Sequence, residues 1–372
     1  MRKKIRLGVL FGGRSGEHEV SLMSAKSILS VLDAENYDIT QIGIGHDGTW
    51  WSGTNVMDCF EKTSLNNLYR VFLLPEPGKT ILYHREERDG KEEISKLTEL
   101  DVIFPVLHGT FGEDGTLQGF FEMADIAYVG AGVLGSSVGM DKGLFKDVMR
   151  ANSIPVVDWI ICTRKDVTSN IQVIIERAEK MAAYPLFVKP ANLGSSVGIS
   201  KCKNRSDLME GILEAARFDR RILIEKGVNA REIEVSVLGN EVNKASIPGE
   251  IRPSDEFYSY KAKYIDGRSE LTIPAELDAG LIKQIQDTAQ KVYQVIDCAG
   301  MARVDFLLEK ETNRLFVNEV NTIPGFTSIS MYPKLWEASG ISYPQLIDKL
   351  IELALERKAE RNKSERVFDR SN

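Results

Sequence analysis

The chain is 372 residues long, 43% apolar, with a formal net charge of −7 and a pI near 5.4. That length exceeds the size at which a single core stops growing, so two or three domains are expected. The acidic balance argues against a nucleic-acid or anionic-membrane partner, which would call for a basic patch. Cys59, Cys162, Cys202 and Cys298 are scattered, with no Cys-x-x-Cys pair and no histidine at metal-ligand spacing, as expected of reduced thiols in a cytosolic protein. The first apolar run is only strand-length, too short for a signal peptide, and no apolar stretch approaches the ~20 residues that span a bilayer.

Residues 5–11 read as a buried strand, 12–16 as a glycine loop, and 19–32 as an amphipathic helix with Val20, Met23, Ile28 and Leu32 facing inward. This strand, loop and helix are Rossmann-like. The glycines do not fit G-x-G-x-x-G, however, and the next strand, 37–44, does not end in a ribose-binding acid, which argues against a dinucleotide. Glu19 is placed to favour the positive helix start, whereas Glu17, still in the loop, is freer to meet a ligand. Residues 50–88 read as irregular with hairpin-like pieces. A buried strand over 101–107 closes on His108-Gly109 and on Glu113-Asp114-Gly115, ahead of a helix from Thr116. A lone histidine is more often structural, but this one stands where open α/β sheets bind ligands.

A second domain is expected to begin near residues 139–142. Residues 184–190 form a strand ending in Lys189, followed by Gly194-Ser195-Ser196-Val197-Gly198, a loop whose backbone N–H groups suit phosphate oxygens. The lysine precedes the glycines, so this is not a Walker loop, and the alternation over 197–202 predicts a hairpin lid. After a short strand at 222–225, the backbone of Lys226 and Val228 is placed to read an adenine edge, and 231–238 alternates as a strand. Residues 253–268, with three tyrosines and two lysines, suggest an ordered active-site lid. Residues 278–295 form a helix, and the charged tail from Glu356 reads as a fraying helix.

Residues 301–327 read as a β-hairpin. With the turn centred on Thr312, Asp305 faces Glu319 and Arg303 faces Asn321, all four on one side. The other side carries Val304, Phe306, Leu308, Phe316 and Val320. Opposed acids repel unless something positive lies between them, and oxygen ligands suit a hard cation such as Mg²⁺ bridging to phosphates. The competing reading is a solvated edge hairpin with Arg303 pairing Asp305.

Lys189-Pro190 with the Gly-Ser-Ser-Val-Gly loop, Glu225-Lys226-x-Val228, Arg303-x-Asp305 and Glu319-x-Asn321-x-x-Pro324-Gly325-Phe326-Thr327 together resemble the ATP-grasp fold. Adding the Glu17 loop, the His108 loop and Phe257-Tyr258-x-Tyr260-x-Ala262-Lys263-Tyr264, the pattern is similar to the D-alanine–D-alanine ligase family, over most of the chain and in the family's order. The resemblance implies an α/β, three-domain ATP-grasp fold with an N-terminal Rossmann-like (pre-ATP-grasp) domain at 1–138, a central subdomain at 139–228 and a C-terminal subdomain at 229–372, with the lid at 253–268. It also implies ATP and two Mg²⁺ (or Mn²⁺) ions, D-alanine as substrate and a cytoplasmic homodimer.

By the same resemblance Lys142 and Lys189 would hold ATP phosphates, with Ser195 and Ser196 in the phosphate loop. Glu225, Lys226, Val228 and Glu232 would bind adenosine. Asp305, Glu319 and Asn321 would ligate the metal ions. Glu17 would take the first ammonium, near His108, and Lys263 would reach the γ-phosphate while Tyr264 closes the site. Ser330 and the Met331 backbone would receive the second carboxylate, and Arg303 with the Gly325 N–H would stabilise the oxyanion. Rival readings are a D-alanyl-D-lactate or D-alanyl-D-serine ligase, another ATP-grasp carboxylate-amine ligase, and a non-catalytic nucleotide-binding regulator.

Overall fold

The computed structural model describes residues 3–252 and 270–365. The first stretch folds as strands β1 (Ile5–Gly12), β2 (Tyr37–Ile44), β3 (Trp50–Gly53), β4 (Leu68–Leu73), β5 (Ile81–Arg88), β6 (Lys91–Glu99), β7 (Val102–Pro105) and β8 (Ala127–Tyr128). Helices α1 (His18–Leu29), α2 (Val56–Glu61) and α3 (Thr116–Met123) connect them. One eight-stranded sheet results, in the order β6-β5-β4-β3-β2-β1-β7-β8. The pairs β1–β2, β1–β7 and β7–β8 are parallel, and β2 to β6 continue as an antiparallel meander. Residues 50–88, expected to be irregular with hairpin-like pieces, therefore contribute three ladder strands, with antiparallel β3–β4 and β4–β5 pairs as the hairpin pieces. Their half-exposed faces left only a weak alternating pattern in the sequence.

α1 buries Val20, Leu22, Ala25 and Ile28, while Met23, expected to face inward, is 46% exposed. The buried face turns toward Ser24 because the helix packs against β1 on one side and meets the segment after residue 322 on the other, where Ser24 Oγ accepts from Phe326 N at 3.2 Å.

Helices α4 (Val133–Met140) and α5 (Lys142–Ala151) lead into a second, four-stranded sheet. It contains β9 (Trp159–Thr163), β10 (Leu186–Pro190), β11 (Ser200–Cys202) and β12 (Arg221–Lys226), in the order β11-β10-β12-β9, packed with α6 (Arg164–Met181) and α7 (Arg205–Phe218). The antiparallel β10–β11 pair is the expected hairpin around the glycine-serine loop. Asp141 caps α5 by accepting from Leu144 N at 2.8 Å, and it also pairs with Arg221 of β12, which fixes the helix start beside the sheet.

The third sheet is built from β13 (Ala230–Gly239), β14 (Asn243–Ala245), β15 (Gly249–Arg252), β16 (Glu270–Thr272), β17 (Gly300–Glu309) and β18 (Leu315–Asn321). Its order is β16-β15-β13-β17-β18, with β14 on β13, and helices α8 (Ala279–Val295), α9 (Met331–Ala338) and α10 (Tyr343–Arg361) complete the chain. In the β17–β18 hairpin Arg303 pairs with Asn321 and Asp305 with Glu319, the expected register. A bulge after Asp305 then shifts the register, so that Phe306 pairs with Val317 and Leu307 with Phe316. Phe316 thus shares a face with Leu307, which lines the cleft described below, and Val317 takes the core place expected for Phe316.

α10 does not fray at Glu356. Leu346, Ile347, Leu350 and Ile351 are buried in one cluster with Leu7, Val9, Val102 and Phe104, each worth roughly 1.5–3 kcal/mol relative to exposure. Beyond them Lys358 and Arg361 pair with Asp125 and Glu122, which ties the charged end of the helix to α3 and the turn after it.

Candidate active site

The segments after β1 and β7, the β10–β11 loop, β13 and the β17–β18 hairpin line one cleft of 940 Å³. The hairpin supplies its charged wall. Arg303 Nε and Nη2 donate to the two oxygens of Asp305, each at 2.7 Å, and Nε lies 2.8 Å from Glu234 on the neighbouring β13. Burial pushes the guanidinium pKa down, but Asp305 and Glu234 overcome this and hold it well above its ordinary value. Asn321 Nδ2 donates to Asp305 Oδ2 at 2.9 Å, and Glu319 lies 3.8 Å from Lys142 Nζ. Arg303 does pair with Asp305, as the competing reading held, but inside the cleft rather than on a solvated edge.

Lys142 opens α5 and donates from Nζ to Leu193 O at 2.8 Å. Lys189, at the end of β10, pairs with Glu225 of β12, and Lys146 meets the other Glu225 oxygen at 3.2 Å. Burial pushes the Glu225 carboxyl up, and the two lysines overcome it and hold it down to about 2. Lys226, Val228 and Glu232 line the same end of the cleft beside Phe187.

The glycine-serine loop reaches the opposite end. Ser195 and Ser196 take left-handed φ of 51° and 58°, a conformation that non-glycine residues hold only when their surroundings impose it. Ser195 Oγ donates to Glu17 Oε1. A Cβ on Gly109 or Gly194 would stand 2.1 or 2.7 Å from Glu17 Oε2, so both glycines leave room for that carboxylate.

His108 is buried with both ring nitrogens engaged, Nδ1 with Ile323 O at 2.9 Å and Nε2 with Ser24 Oγ at 3.2 Å. Burial lowers its pKa. Beside it Glu113 accepts from Gly109 N at 2.8 Å and from Ile323 N at 2.9 Å, joining the His108 loop to the segment after β18. Burial, with the Glu17 charge, raises the Glu113 carboxyl to about 8. Gly325, Ser330 and Met331 line the cleft where α9 begins, and helix-start amides favour a carboxylate.

Glu17, His108, Lys142, Lys189, Ser195, Ser196, Glu225, Lys226, Val228, Glu232, Arg303, Asp305, Glu319, Asn321, Gly325, Ser330 and Met331 all line this cleft. Lys263 and Tyr264, with the rest of the segment 253–268 expected to form a lid, lie outside the described residues. Sequence reasoning missed three charged groups. Lys146 stands one helical turn after Lys142, Glu234 two strand residues after Glu232, and Glu113 in a loop already singled out for its histidine, so periodicity alone could have nominated the first two.

An all-oxygen set of two opposed acids and an amide beside two lysines fits a hard divalent cation that also meets phosphates. Among the described residues, three His, Cys, Asp or Glu side chains with ligand atoms within 4.8 Å of one another occur elsewhere, at His18, Glu19 and His46. There the two imidazoles stack 3.9 Å apart at 25°, so their in-plane lone pairs run side by side instead of converging. No helix among the described residues is long and apolar enough to cross a membrane.

Residues 6–131 match the family described as D-ala D-ala ligase N-terminus, and residues 148–352 the one described as D-ala D-ala ligase C-terminus. The chain is 48% identical over 371 residues to a D-alanine–D-alanine ligase of Natranaerobius thermophilus, covering 99% of this chain and 100% of that one. A relative of the same name from Caldicellulosiruptor bescii is 49% identical, over 95% and 96%. Among solved structures, the D-alanine-D-alanine ligase from Coxiella burnetii superposes with a TM-score of 0.82 at 39% identity, covering 97% and 96%. The VanG D-Ala:D-Ser ligase from Enterococcus faecalis gives 0.83 at 33%, covering 95% and 100%. With both halves matched and full-length relatives near half identity, the chain belongs to the D-alanine–D-alanine ligase family, ATP-using enzymes of the ATP-grasp fold with an additional N-terminal domain.

Proposed function

We propose that this cleft joins two D-alanine molecules into D-alanyl-D-alanine at the expense of ATP, supplying a cell-wall precursor. The observation that carries the reading is the meeting, in one cleft, of the Arg303–Asp305–Glu319–Asn321 wall, the lysines Lys142 and Lys189, and the Glu17–Ser195 contact. Three units divide the work in this reading: 1–138 carrying Glu17 and His108, 139–228 carrying the lysines and phosphate loop, and 229–372 carrying the charged hairpin and the 253–268 lid.

Lys142 and Lys189 meet the nucleotide phosphates, and Glu225, Lys226, Val228 and Glu232 meet the adenosine. Asp305, Glu319 and Asn321 are the residues that would hold two Mg²⁺ or Mn²⁺ ions. Such ions supply positive charge that screens phosphate oxygens against an incoming carboxylate. Glu17 takes the ammonium of the first D-alanine, with the His108 ring as the wall beside it. The carboxylate then attacks the γ-phosphorus, ADP leaves, and the D-alanyl phosphate formed is an acyl donor that the free acid is not.

Ser330 and the Met331 N–H orient the second D-alanine through its carboxylate, so that its free amine attacks the acyl carbon. Arg303 and the Gly325 N–H stabilise the oxyanion until phosphate leaves. Water would destroy the acyl phosphate, and Lys263 and Tyr264 belong to the lid that excludes it. The test is isotopic. D-alanine labelled with ¹⁸O in its carboxylate transfers one labelled oxygen to each phosphate released; unlabelled phosphate overturns the acyl-phosphate route.

A second reading, D-serine at the second position, is favoured by the likeness to VanG D-Ala:D-Ser ligase, and a D-lactate acceptor is the other family variant; competition with identification of the products by mass separates them. The cytoplasmic homodimer part of the reading rests on the family alone; the dimer is tested by light scattering on the purified chain, and the location by fractionation of cells that make it.

A further inference from the structure

Lys146 is only 1% exposed and stands behind the cleft wall, not in it. It is brought there by α5, which lies so close to β9 that a Cβ on Gly143 would come within 2.7 Å of Ile161. Its Nζ meets Glu225 Oε2 at 3.2 Å, while Lys189, from inside the cleft, takes Glu225 Oε1. Two buried lysines thus share one buried carboxylate. A fold needing only an ion pair would stop at one cation, because each buried charge carries a desolvation penalty of several kcal/mol.

The excess has a use once the nucleotide arrives. In the function proposed above Lys189 turns to the phosphates, and Glu225 would be left as a lone buried acid if Lys146 were absent. A lone buried carboxyl takes up a proton and becomes a donor as well as an acceptor, whereas a carboxylate only accepts. An acceptor matches the amino group at position 6 of adenine and opposes the oxygen at position 6 of guanine or hypoxanthine.

We infer that Lys146 is a positioning residue for base selection: it keeps Glu225 an acceptor-only carboxylate toward a 6-aminopurine after Lys189 has moved to the phosphates. The inference rests on the proposed adenosine site. Among the described residues the charged groups facing Glu225 are Lys146 from α5 and Lys189 from β10; Glu319 acts on both lysines and Glu232 on Lys189. Trp159, opposite Glu225 on β9, is uncharged and lies 5.9 Å from the Lys146 ammonium. Burial lowers the Lys146 pKa against the pull of Glu225 and, behind it, of Glu319.

The experiment measures kcat and KM for ATP and for ITP with saturating D-alanine, from pH 6 to 9, in the wild type, Lys146→Met, Glu225→Gln and the double variant. Lys146→Met is expected to raise KM for ATP about 10-fold, the size of one lost charge-assisted hydrogen bond, with kcat changed less than about 3-fold. Its preference for ATP over ITP is expected to fall as the pH is lowered, a trend absent from the wild type. In the Glu225→Gln background the lysine substitution is expected to change nothing further. An ATP-to-ITP ratio unmoved by Lys146→Met at every pH, while Glu225→Gln shifts it, overturns the inference. A ratio unmoved by Glu225→Gln itself overturns the adenosine-site reading instead. Should Lys146→Met fail to fold, the double variant, which buries no unpaired acid, decides: equality with Glu225→Gln supports the inference, and a further 10-fold loss of the ratio refutes it.

Discussion

Arg303 grips Asp305, two residues along the same strand, through two parallel hydrogen bonds of 2.7 Å. The same guanidinium lies 2.8 Å from Glu234, so one buried cation balances acids on adjacent strands. Arg303→Ala leaves those acids without it, and unfolding in urea is expected to show a loss of about 3–5 kcal/mol. Arg303→Lys keeps the charge but not the fork. It is expected to lose less stability while ligation still falls about 100-fold. A wild-type urea midpoint for Arg303→Ala would contradict this account.

Ligation is expected to stop on chelation and return with Mg²⁺ or Mn²⁺. Glu319→Gln, which keeps shape and removes charge from one of the opposed acids, is expected to raise the half-activating Mg²⁺ concentration about 10-fold or more, by analogy with the sensitivity of metal sites to their supporting residues. Metal titrations of activity identical to wild type would remove Glu319 from the cation site.

Glu113 joins two cleft loops and has its carboxyl raised to about 8 by burial and by Glu17. A carboxyl raised on folding contributes stability that is fully present below the ordinary carboxylate range and is lost as the pH climbs through about 8. Glu113→Gln cannot titrate, and its amide can accept from only one of the two backbone N–H groups, costing about 1–3 kcal/mol at low pH. The stability advantage of the wild type over this variant is therefore expected to shrink between pH 5 and 8. A constant difference in urea unfolding across that window would refute the assignment.

Ser195 holds Glu17 from across the cleft. Ser195→Ala deletes that tie, and kcat/KM for D-alanine is expected to fall about 10-fold while KM for ATP stays within about 3-fold. Equal effects on both substrates would place Ser195 in the nucleotide site rather than beside the amino acid.

The functional end of the hairpin was legible in the sequence, for a reason that the bulge makes clear. The turn does not centre on Thr312: Glu309 N bonds Arg314 O, half a residue out of register, and the extra residue in β18 restores the pairing before Asp305 is reached. Phe316, between turn and bulge, is where the simple alternation fails. Residues 50–88 hid three strands because one sheet face is largely solvated there, as Arg70, Arg85 and Glu87 illustrate. The tail looked like a fraying helix because Lys358 and Arg361 carry charge, and only their folded partners Asp125 and Glu122 show where that charge goes. Helical spacing from Lys142 could have nominated Lys146, whereas Glu113 gave no signal as a site residue because the Ile323 segment it joins to the His108 loop is brought there only by folding.

The most direct test of the account is turnover with Mg-ATP and D-alanine, measuring phosphate release and identifying the product by mass, alone and with D-serine or D-lactate added. The account predicts one phosphate per D-alanyl-D-alanine, with the dipeptide dominant in every mixture. No phosphate release with D-alanine, or a mixed product that dominates whenever D-serine or D-lactate is present, would contradict it.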